Sequence, residues 1–375
     1  MANYDYLAFI GTYTSGNVVS KNLQSKGIYV LGYDSEKGDL EILNTAFEKD
    51  NPSFLAISPN GDYLFSVGEI DDKRGGALSS YKIDKENCSI SIINSISTGS
   101  KGPCHLMTDL NGSLLLAANY AGGASTLAKI NPDGSLDEDV QVIQHVGSSV
   151  NPERQMEPHA HSINVSPSGN YALVPDLGTD KIIIYKIDHS KSKLISNEPS
   201  FAKVSPGMGP RHLEFHPNGK VVYVINELGA TITVFDYDDE NGILNEVETV
   251  STLPSDFNQK SCADIHISKD GKYLYGSNRG HNSIAIYKVS EDGRKIENID
   301  FQSTLGETPR NFALDPKGNF LLAANQDTSD IFTFKINKES GKLNPTGSKI
   351  DIPYPCLLYT SDAADDLLCV DLGGR

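Results

Sequence analysis

The stretch HLEFHPNGKVVYVINE at residues 212–227 contains the structural unit from which this chain is built. An apolar segment leads into a turn that ends in Gly219, and a second apolar segment follows the turn. This pattern is typical of a β-hairpin, because glycine suits tight turns and the flanking residues suit strands. Five other stretches share the pattern: FLAISPNGDYLFSVGE (54–69), HLMTDLNGSLLLAANY (105–120), SINVSPSGNYALVPDL (162–177), DIHISKDGKYLYGSNR (264–279) and NFALDPKGNFLLAANQ (311–326). The hairpin is therefore an internal repeat.

The spacing of the repeat predicts an all-β fold, a seven-bladed β-propeller. The turn glycines recur at intervals of 47 to 57 residues: Gly61, Gly112, Gly169, Gly219, Gly271 and Gly318. A period near fifty with strand–turn–strand content is typical of propeller blades, each of about four strands. Segments with strand-like alternation, such as TITVFDYD (231–238), supply the remaining strands.

The two ends of the chain are predicted to complete the seventh blade. The N-terminal unit has the strand LAFIGTY (7–13) but lacks an inner strand, and PYPCLLY (353–359) resembles the openings of the other hairpins. A ring closed by strands from both termini leaves no unpaired edge. A six-bladed ring with an N-terminal extension is the alternative. We expect residues 1–359 to form one domain. Residues 360–375 resemble translated adapter or vector sequence and are expected to be a non-native tail.

Composition limits the partners that this chain is expected to have. The formal net charge is −17 and the sequence pI is about 4.9, which argues against nucleic acid and anionic membranes because both require a basic surface. The sequence has neither a secretory leader pattern nor an apolar stretch of about 18 residues. Its five cysteines form no CxxC pair. These features predict a cytoplasmic protein, and any anion-binding site must be local.

Superposing the repeats identifies candidate site residues. In an antiparallel hairpin, residues at equal distances before and after the turn lie side by side. The positions eight residues before the turn glycines are Ser53, Cys104, His161, Arg211, Ala263 and Arg310. The positions eight residues after them are Glu69, Tyr120, Leu177, Glu227, Arg279 and Gln326. Because the two inner strands of each blade flank the central channel, both sets are predicted to surround one mouth of that channel.

Four successive repeats supply most of the charged candidates. Arg211, Arg279 and Arg310 occupy matching positions, and a guanidinium fork suits phosphate or carboxylate. His161 lies in the repeat before them, and its ordinary pKa suits proton transfer at neutral pH. Taken alone, each of these residues would more often be structural. Their clustering predicts an anion-binding site.

The other candidates have weaker support. His159 shares a strand face with His161 and is expected at the pocket rim. Asn226 belongs to a set of asparagines that lie seven residues after the turn glycines, and the favoured role for these asparagines is loop capping. Strand alternation predicts that His105 and His212 turn away from the mouth and bond to a neighbouring blade. No third ligand accompanies the His-x-His pair, so no metal site is predicted.

Long segments of the chain resemble the lactonase family of seven-bladed propellers, which includes bacterial 6-phosphogluconolactonases and fungal carboxymuconate-cyclising enzymes. The resemblance rests on PHAHSINVSPSGNY (158–171), GPRHLEFHPNGKVVYVINELGATITVF (209–235), ADIHISKDGKYLYGSNRGHNSIAIY (263–287) and TPRNFALDPKGNFLLAANQ (308–326). It covers the chain from about Tyr6 to Tyr359. It implies a metal-independent site in which the family's histidine, arginines and glutamate correspond to His161, Arg211, Arg279 and Glu227.

Together, the repeat positions and the resemblance predict hydrolysis of a sugar lactone, with 6-phosphoglucono-δ-lactone of the pentose phosphate route as the expected substrate. The predicted catalytic residues are His161, Glu227, Arg211 and Arg279. The predicted substrate-binding residues are Arg310, His159, Gln326, Glu69 and Asn226. No cofactor is expected. Three alternatives remain open: a carboxymuconate cycloisomerase of the same family, a propeller that only binds partners, and a calcium-dependent lactonase using Glu69 and the asparagines.

Overall fold

The computed structural model describes residues 4–16, 19, 23–48, 50–259 and 261–360. In these residues, strands β1 to β28 form seven four-stranded antiparallel sheets, and the inner strands contact one another around a central channel. The predicted seven-bladed β-propeller is therefore confirmed. The described part of the chain contains no helix with the length and apolar character needed to cross a membrane.

Each blade runs from an inner to an outer strand. Blade 1 contains β28 (Pro355–Thr360), β1 (Tyr6–Thr12), β2 (Gly27–Asp34) and β3 (Asp39–Phe47). Blade 2 contains β4 (Leu55–Ile57), β5 (Tyr63–Gly68), β6 (Ala77–Asp84) and β7 (Ser89–Ser97). Blade 3 contains β8 (Pro103–Thr108), β9 (Leu114–Asn119), β10 (Ala124–Lys129) and β11 (Gln141–Gln144). Blade 4 contains β12 (Asn164–Val165), β13 (Tyr171–Asp176), β14 (Lys181–Asp188) and β15 (Lys193–Lys203).

The remaining three blades follow the same order along the chain. Blade 5 contains β16 (Pro210–Phe215), β17 (Val221–Asn226), β18 (Thr231–Asp238) and β19 (Ile243–Ser251). Blade 6 contains β20 (Cys262–Ile267), β21 (Tyr273–Asn278), β22 (Ser283–Val289) and β23 (Ile296–Ser303). Blade 7 contains β24 (Pro309–Leu314), β25 (Phe320–Asn325), β26 (Asp330–Ile336) and β27 (Leu343–Asp351).

The C-terminal strand closes the ring. Strand β28 pairs antiparallel with β1, with Phe9 opposite Tyr359, and it contacts the inner strands β24 and β4 on either side. The predicted closure by both termini is confirmed, and the six-bladed alternative is excluded. Thr360 belongs to β28. Residues 361–375 lie outside the described residues, so the expectation that the tail is non-native stays a prediction.

The core lies between the blades rather than within one of them. Strand β17 is buried along its whole length, with Val222 and Val224 facing blade 4 and Tyr223 and Ile225 facing blade 6. Among the described residues, such an apolar cluster separates every pair of adjacent blades. A strand covered on both faces must be apolar on both, which explains the continuous hydrophobic runs in the second strand of each blade. Each buried aliphatic side chain contributes about 1.5–3 kcal/mol.

A β-bulge at the mouth alters the direction of the inner-strand side chains. Pro210 lies opposite Asn226 and His212 lies opposite Ile225, so Arg211 is the extra residue. Equivalent bulges leave three other residues unpaired at the same position: Cys104, Arg310 and Cys356. Because a bulge re-aims a side chain, two successive residues can face the channel.

The prediction that strand alternation turns His212, like His105, away from the mouth was therefore wrong for His212. Arg211 and His212 line the same small void of about 10 Å³, and both histidines also line a larger cavity of about 550 Å³ in the channel. Strict alternation would have separated them, but the bulge interrupts it. The expected bond from His212 to a neighbouring blade is present, since its Nδ1 lies 2.7 Å from Oδ1 of Asp264 in blade 6.

Truncation tests the closing strand. A chain ending at Ile352 loses β28, which leaves the edge of β1 unpaired and removes the buried Leu357 and Leu358 from two blade interfaces. We expect its unfolding free energy to fall by at least about 3 kcal/mol, as measured by denaturant titration. A chain ending at Thr360 keeps β28 and should unfold like the full-length protein. Equal stability of the two truncations would contradict this account of closure.

Candidate active site

All seven blades contribute side chains to one mouth of the channel. These side chains come from the starts of inner strands, the ends of second strands and the adjoining loops: Tyr13, Ser53, Glu69, Cys104, Tyr120, His161, Arg211, Glu227, Arg279, Arg310 and Gln326. Blades 4 to 7 carry His161, Arg211 with Glu227, Arg279 and Arg310 in the expected order. The mouth divides into a cluster around Glu227 and a second cluster around Glu69.

Glu227 is the centre of the first cluster. Its Oε2 accepts a hydrogen bond from Nε of Arg211 at 3.1 Å and forms an ion pair with Nη2 of Arg279 at 2.9 Å. Its Oε1 accepts a hydrogen bond from Nη2 of Arg154 at 2.9 Å. Nε2 of His161 lies 3.8 Å from Oε2. Three of the four predicted catalytic residues thus surround the fourth.

Electrostatics fix the charge of this cluster. Burial raises the pKa of Glu227, but the charges of Arg279, Arg211 and Arg154 outweigh it and lower the pKa to about 2. Burial and the nearby charges of Arg310 and Arg279 lower the pKa of Arg211 to about 10, so it remains a cation at neutral pH. One carboxylate among three guanidinium groups leaves an excess of positive charge. The Glu227 cluster therefore has the local positive charge that an anion site in this acidic chain requires.

His161 lies at the base of the cluster with a neutral imidazole. The residue is 5% exposed, and its Nδ1 is 3.7 Å from Sγ of Cys104. Burial, followed by the charge of Arg211, lowers the pKa of His161 well below its ordinary value. The unprotonated ring can therefore accept a proton throughout the neutral range.

Tyr120, His159 and Arg154 form the rim beside His161. The rings of Tyr120 and His159 stack at 4.5 Å, and Tyr120 meets the His161 ring edge-on at 5.1 Å. The hydroxyl of Tyr120 accepts a hydrogen bond from Nη2 of Arg154 at 2.9 Å. The Arg154 side chain is 42% exposed, which makes it the most accessible cation bonded to Glu227. His159 therefore lies at the rim, where the sequence analysis expected it.

The second cluster contains Glu69 and Arg310. The carboxylate of Glu69 accepts hydrogen bonds from the Tyr13 hydroxyl at 3.0 and 3.1 Å and from the Ser53 hydroxyl. The guanidinium of Arg310 lies 5.3 Å from the centre of the Tyr13 ring. Burial lowers the pKa of Arg310, but Tyr13 and Glu69 outweigh it and raise the pKa overall. Arg310 is therefore cationic, on the same channel void as Arg211.

Two predicted binding residues use their amides locally. Gln326 donates from Nε2 to Oδ1 of Asp327 at 2.9 Å. Asn226 is fully buried and donates from Nδ2 to Thr231 and Thr233 in its own blade, at 3.0 and 2.9 Å. The structure therefore places Asn226 behind the mouth, next to Glu227 in sequence, and does not join either amide to the Glu227 cluster.

Cysteine and metal chemistry receive no support from the geometry. Burial raises the pKa of the Cys104 thiol, which keeps it protonated. Among the residues that the structure describes, no group of three or more His, Cys, Asp and Glu side chains is arranged to hold a metal ion.

Sequence reasoning did not identify Arg154 as part of the site. It lies in the segment between β11 and β12, outside the repeated hairpin, so superposition could not assign it a position. One signal was present: the interval from Gly112 to Gly169, at 57 residues, is the longest between turn glycines and contains this segment. Because loops often carry binding and catalytic residues, a charged residue in an insertion next to the mouth is a candidate for the site.

Fold and site together define a seven-bladed propeller with a cationic, partly buried mouth. The family described as "Lactonase, 7-bladed beta-propeller" matches residues 7–360. The chain belongs to this family, and the resemblance found in the sequence is confirmed.

Relatives and solved structures agree with this assignment. The 6-phosphogluconolactonase of Bacillus subtilis is 34% identical over 93% of this chain and 97% of its own length. The 6-phosphogluconolactonase of Formosa agariphila is 35% identical over 89% of this chain and 94% of its own. The structure of a periplasmic gluconolactonase from Pseudomonas aeruginosa has a TM-score of 0.87 and 31% identity, covering 95% of this chain and 98% of that one. These similarities support the prediction of a sugar-lactone hydrolase.

Replacing the central carboxylate tests the electrostatics of the site. Glu227→Gln leaves the buried Arg211 and its neighbours without a counter-charge, so we expect it to lower the unfolding free energy by about 3 kcal/mol at pH 7. The folded pKa of about 2 lies below the ordinary value of 4.5. The stabilisation is therefore present above pH 4.5 and is lost as the pH falls toward 2.

Denaturant titrations of both proteins from pH 7 to pH 2 measure this difference, which should shrink below pH 4.5. Glu69→Gln is the matched control, because Glu69 accepts hydrogen bonds from the neutral Tyr13 and Ser53 and offsets the charge of one arginine, Arg310, rather than of three. It should cost less. A Glu227→Gln protein as stable as the wild type at pH 7 would show that the carboxylate does not hold the cluster together.

Proposed function

We propose that this protein hydrolyses a sugar lactone, with 6-phosphoglucono-δ-lactone as substrate and 6-phosphogluconate as product. The observation that carries the proposal is the Glu227 cluster, in which three guanidinium groups share one carboxylate beside a neutral imidazole. An anionic substrate with an electrophilic carbonyl matches both parts of this cluster. The names of the relatives from Bacillus subtilis and Formosa agariphila support the same substrate.

The arginines of the mouth differ in exposure, and we assign their roles from that difference. Arg211 is 2% exposed and, like His161, lies close to Oε2 of Glu227, so we assign Arg211 to the oxyanion that forms at the lactone carbonyl. Arg154 and Arg279 are more exposed, and we assign them, together with Arg310, to holding the phosphate. A preorganised donor at the oxyanion commonly contributes about 3–4 kcal/mol to lowering the barrier.

In the proposed mechanism, His161 is the general base. It accepts a proton from water as the water oxygen bonds to the lactone carbonyl carbon, and Arg211 stabilises the negative oxygen of the tetrahedral intermediate. The ring C–O bond then breaks, and His161 returns the proton to the departing ring oxygen. The product is a carboxylic acid with a free hydroxyl group, and the acid then loses its proton to solvent to give the carboxylate. Glu227 stays ionised and keeps Arg211, Arg279 and Arg154 in place.

The remaining predicted residues are assigned supporting roles. His159 and Tyr120 form the wall beside His161, and Glu69 with Tyr13 positions Arg310. We assign Asn226 to holding the end of β17, next to Glu227, and Gln326 to the rim of blade 7.

We place this reaction in the cytoplasm, in the oxidative pentose phosphate route. Cys104, Cys262 and Cys356 are free thiols, which fits a reducing compartment. The gluconolactonase of Pseudomonas aeruginosa is periplasmic, so the fold also serves outside the cytoplasm.

The direct test is hydrolysis of freshly prepared 6-phosphoglucono-δ-lactone, followed by acid release and corrected for spontaneous ring opening. Unphosphorylated gluconolactone serves as a comparison substrate, and open-chain carboxymuconate, whose isomerisation is followed by ultraviolet absorbance, tests for a cycloisomerase. Faster turnover of the phosphorylated sugar lactone supports the proposal. Turnover of only the carboxymuconate compound would favour the cycloisomerase alternative, and no turnover of any of them would favour a binding propeller.

His161→Ala should reduce kcat by about a hundredfold or more, the usual scale for loss of a general base. His159→Ala is the control on the same rim and should have a milder effect. Rates are taken as the excess over spontaneous lactone opening. If His159→Ala abolishes activity while His161→Ala retains it, the proposed base is the wrong histidine.

The pH profile gives a second measure of the same residue. Only neutral His161 acts as a base, and its pKa in the free enzyme lies well below 6.5. The value of kcat/KM should therefore stay constant from pH 8 to pH 6.5 and fall only at lower pH. A bound phosphate would offset the charge of Arg211, so the acid limb of kcat should lie at higher pH than that of kcat/KM. An acid limb of kcat/KM above pH 6.5 would contradict this assignment.

Arg211→Lys tests whether the planar fork is needed. The lysine keeps the charge but loses the pair of fixed donors, so kcat should fall by about tenfold or more on phosphorylated and unphosphorylated lactone alike. Arg310→Lys, assigned to phosphate, should mainly raise KM for the phosphorylated lactone. If Arg211→Lys changes neither kcat nor KM, Arg211 does not contact the reacting carbonyl.

A further inference from the structure

A buried hydrogen-bonded chain runs from Arg211 into the wall of the channel. Nη1 of Arg211 lies 3.1 Å from Nε2 of His212, and Nδ1 of His212 lies 2.7 Å from Oδ1 of Asp264. Arginine nitrogens only donate hydrogen bonds, so Nε2 of His212 must be the acceptor. The hydrogen of the His212 ring is therefore on Nδ1, and His212 donates it to Asp264.

The charge state of His212 agrees with this direction. Burial, followed by the charge of Arg211, lowers the pKa of His212 to about 4, so the ring is neutral at neutral pH. The charged or titratable groups around it include Arg211, Arg310, Asp264, His105 and His161, and the ring centres of the two other histidines each lie 5.5 Å away. A neutral ring with a fixed tautomer can accept from the guanidinium without repelling it.

Asp264 is held from several directions. It is 3% exposed, and its Oδ2 accepts hydrogen bonds from Nε2 of His266 at 3.1 Å, from the side-chain amide of Asn311, and from the backbone amide of Phe312 at 3.3 Å. These donors come from blades 6 and 7, whereas Arg211 and His212 belong to blade 5. The carboxylate is thus a fixed point that ties three neighbouring blades together.

The hydrogen bonds of Arg211 leave its side chain little conformational freedom. Its Nε donates to Glu227, and its Nη1 donates to His212 and to the carbonyl oxygen of Ala263 at 2.6 Å. Within the described residues, Nη2 is the guanidinium nitrogen of Arg211 for which no hydrogen-bond partner is found. With Nε and Nη1 fixed, the plane of the guanidinium is fixed, and Nη2 is available to a substrate oxygen.

We propose that His212 and Asp264 are positioning residues that hold the Arg211 guanidinium in the plane needed to stabilise the reacting carbonyl oxygen. This inference rests on the proposed function, in which Arg211 contacts the substrate. A misplacement of about 1 Å at a reacting centre can cost about a hundredfold in rate. The residues act through Arg211 and need no contact with the substrate.

Substitutions at His212 test the inference. His212→Leu removes the acceptor for Arg211, and kcat should fall by about tenfold to a hundredfold with a smaller change in KM. His212→Gln supplies an amide oxygen for Arg211 and an amide N–H for Asp264, and it should restore kcat to within about threefold of the wild type. His105→Leu is the matched control, since His105 lies at the equivalent position of blade 3 and bonds to the backbone of Ile163 instead. It should leave kcat near the wild-type value.

A double-mutant cycle separates positioning from a general structural effect. In an Arg211→Lys background, adding His212→Leu should change kcat by less than twofold, because the fork that His212 orients is already absent. Additive losses, or a His212→Leu protein as active as the wild type, would overturn the inference.

The tautomer gives a measurement that does not depend on activity or on the folding of the leucine variant. Nitrogen NMR of protein labelled at histidine, with His212 assigned through His212→Gln, should show Nδ1 protonated and Nε2 unprotonated from pH 5.5 to pH 8. The opposite tautomer or an imidazolium would overturn the inference. A wild type that hydrolyses no lactone would refute the proposed function instead, and the tautomer measurement would still judge the hydrogen-bonded chain.

Discussion

Apolar burial between adjacent blades is the constraint on which the rest of this structure depends. The second strands of the blades are buried on both faces, so each sheet needs a neighbour on either side. A row of such sheets has two uncovered ends unless it closes on itself, and ring closure removes both ends at once. The channel, the mouth and the convergence of side chains from seven blades all follow from that closure.

Closure also explains how charged groups can be concentrated in the interior. Arg211, Glu227 and Asp264 are almost fully buried, which would be costly for isolated charges. Each is paired with, or hydrogen-bonded to, groups from a neighbouring blade. Because the closed ring holds these partners in place, they reorganise less around the charged groups. The apolar interfaces thus support a polar site that could not form within one blade.

The sequence allowed the blade number, the closure and the positions of His161, Arg211, Glu227 and Arg279 to be predicted, because all of these depend on a repeat that is visible in the residues. It did not reveal the bulge at Arg211, since a bulge changes pairing without altering the apolar pattern, and His212 was therefore assigned the wrong direction. Arg154 was missed because its loop has no counterpart in the other repeats. For Asn226, the sequence favoured a structural role but did not exclude ligand binding, because a side-chain amide can bond to a loop or to a ligand equally well.

The pairing of β28 with β1 has a consequence for how the protein is made. Residues such as Phe9 are synthesised first, yet their partner Tyr359 emerges from the ribosome only after all the other blades. Throughout synthesis, blade 1 lacks its inner strand and blade 7 lacks the neighbour that covers its outward face. The nascent chain therefore carries an open edge and an apolar surface until β28 has been synthesised, and exposed edges and surfaces of this kind favour misfolding and aggregation.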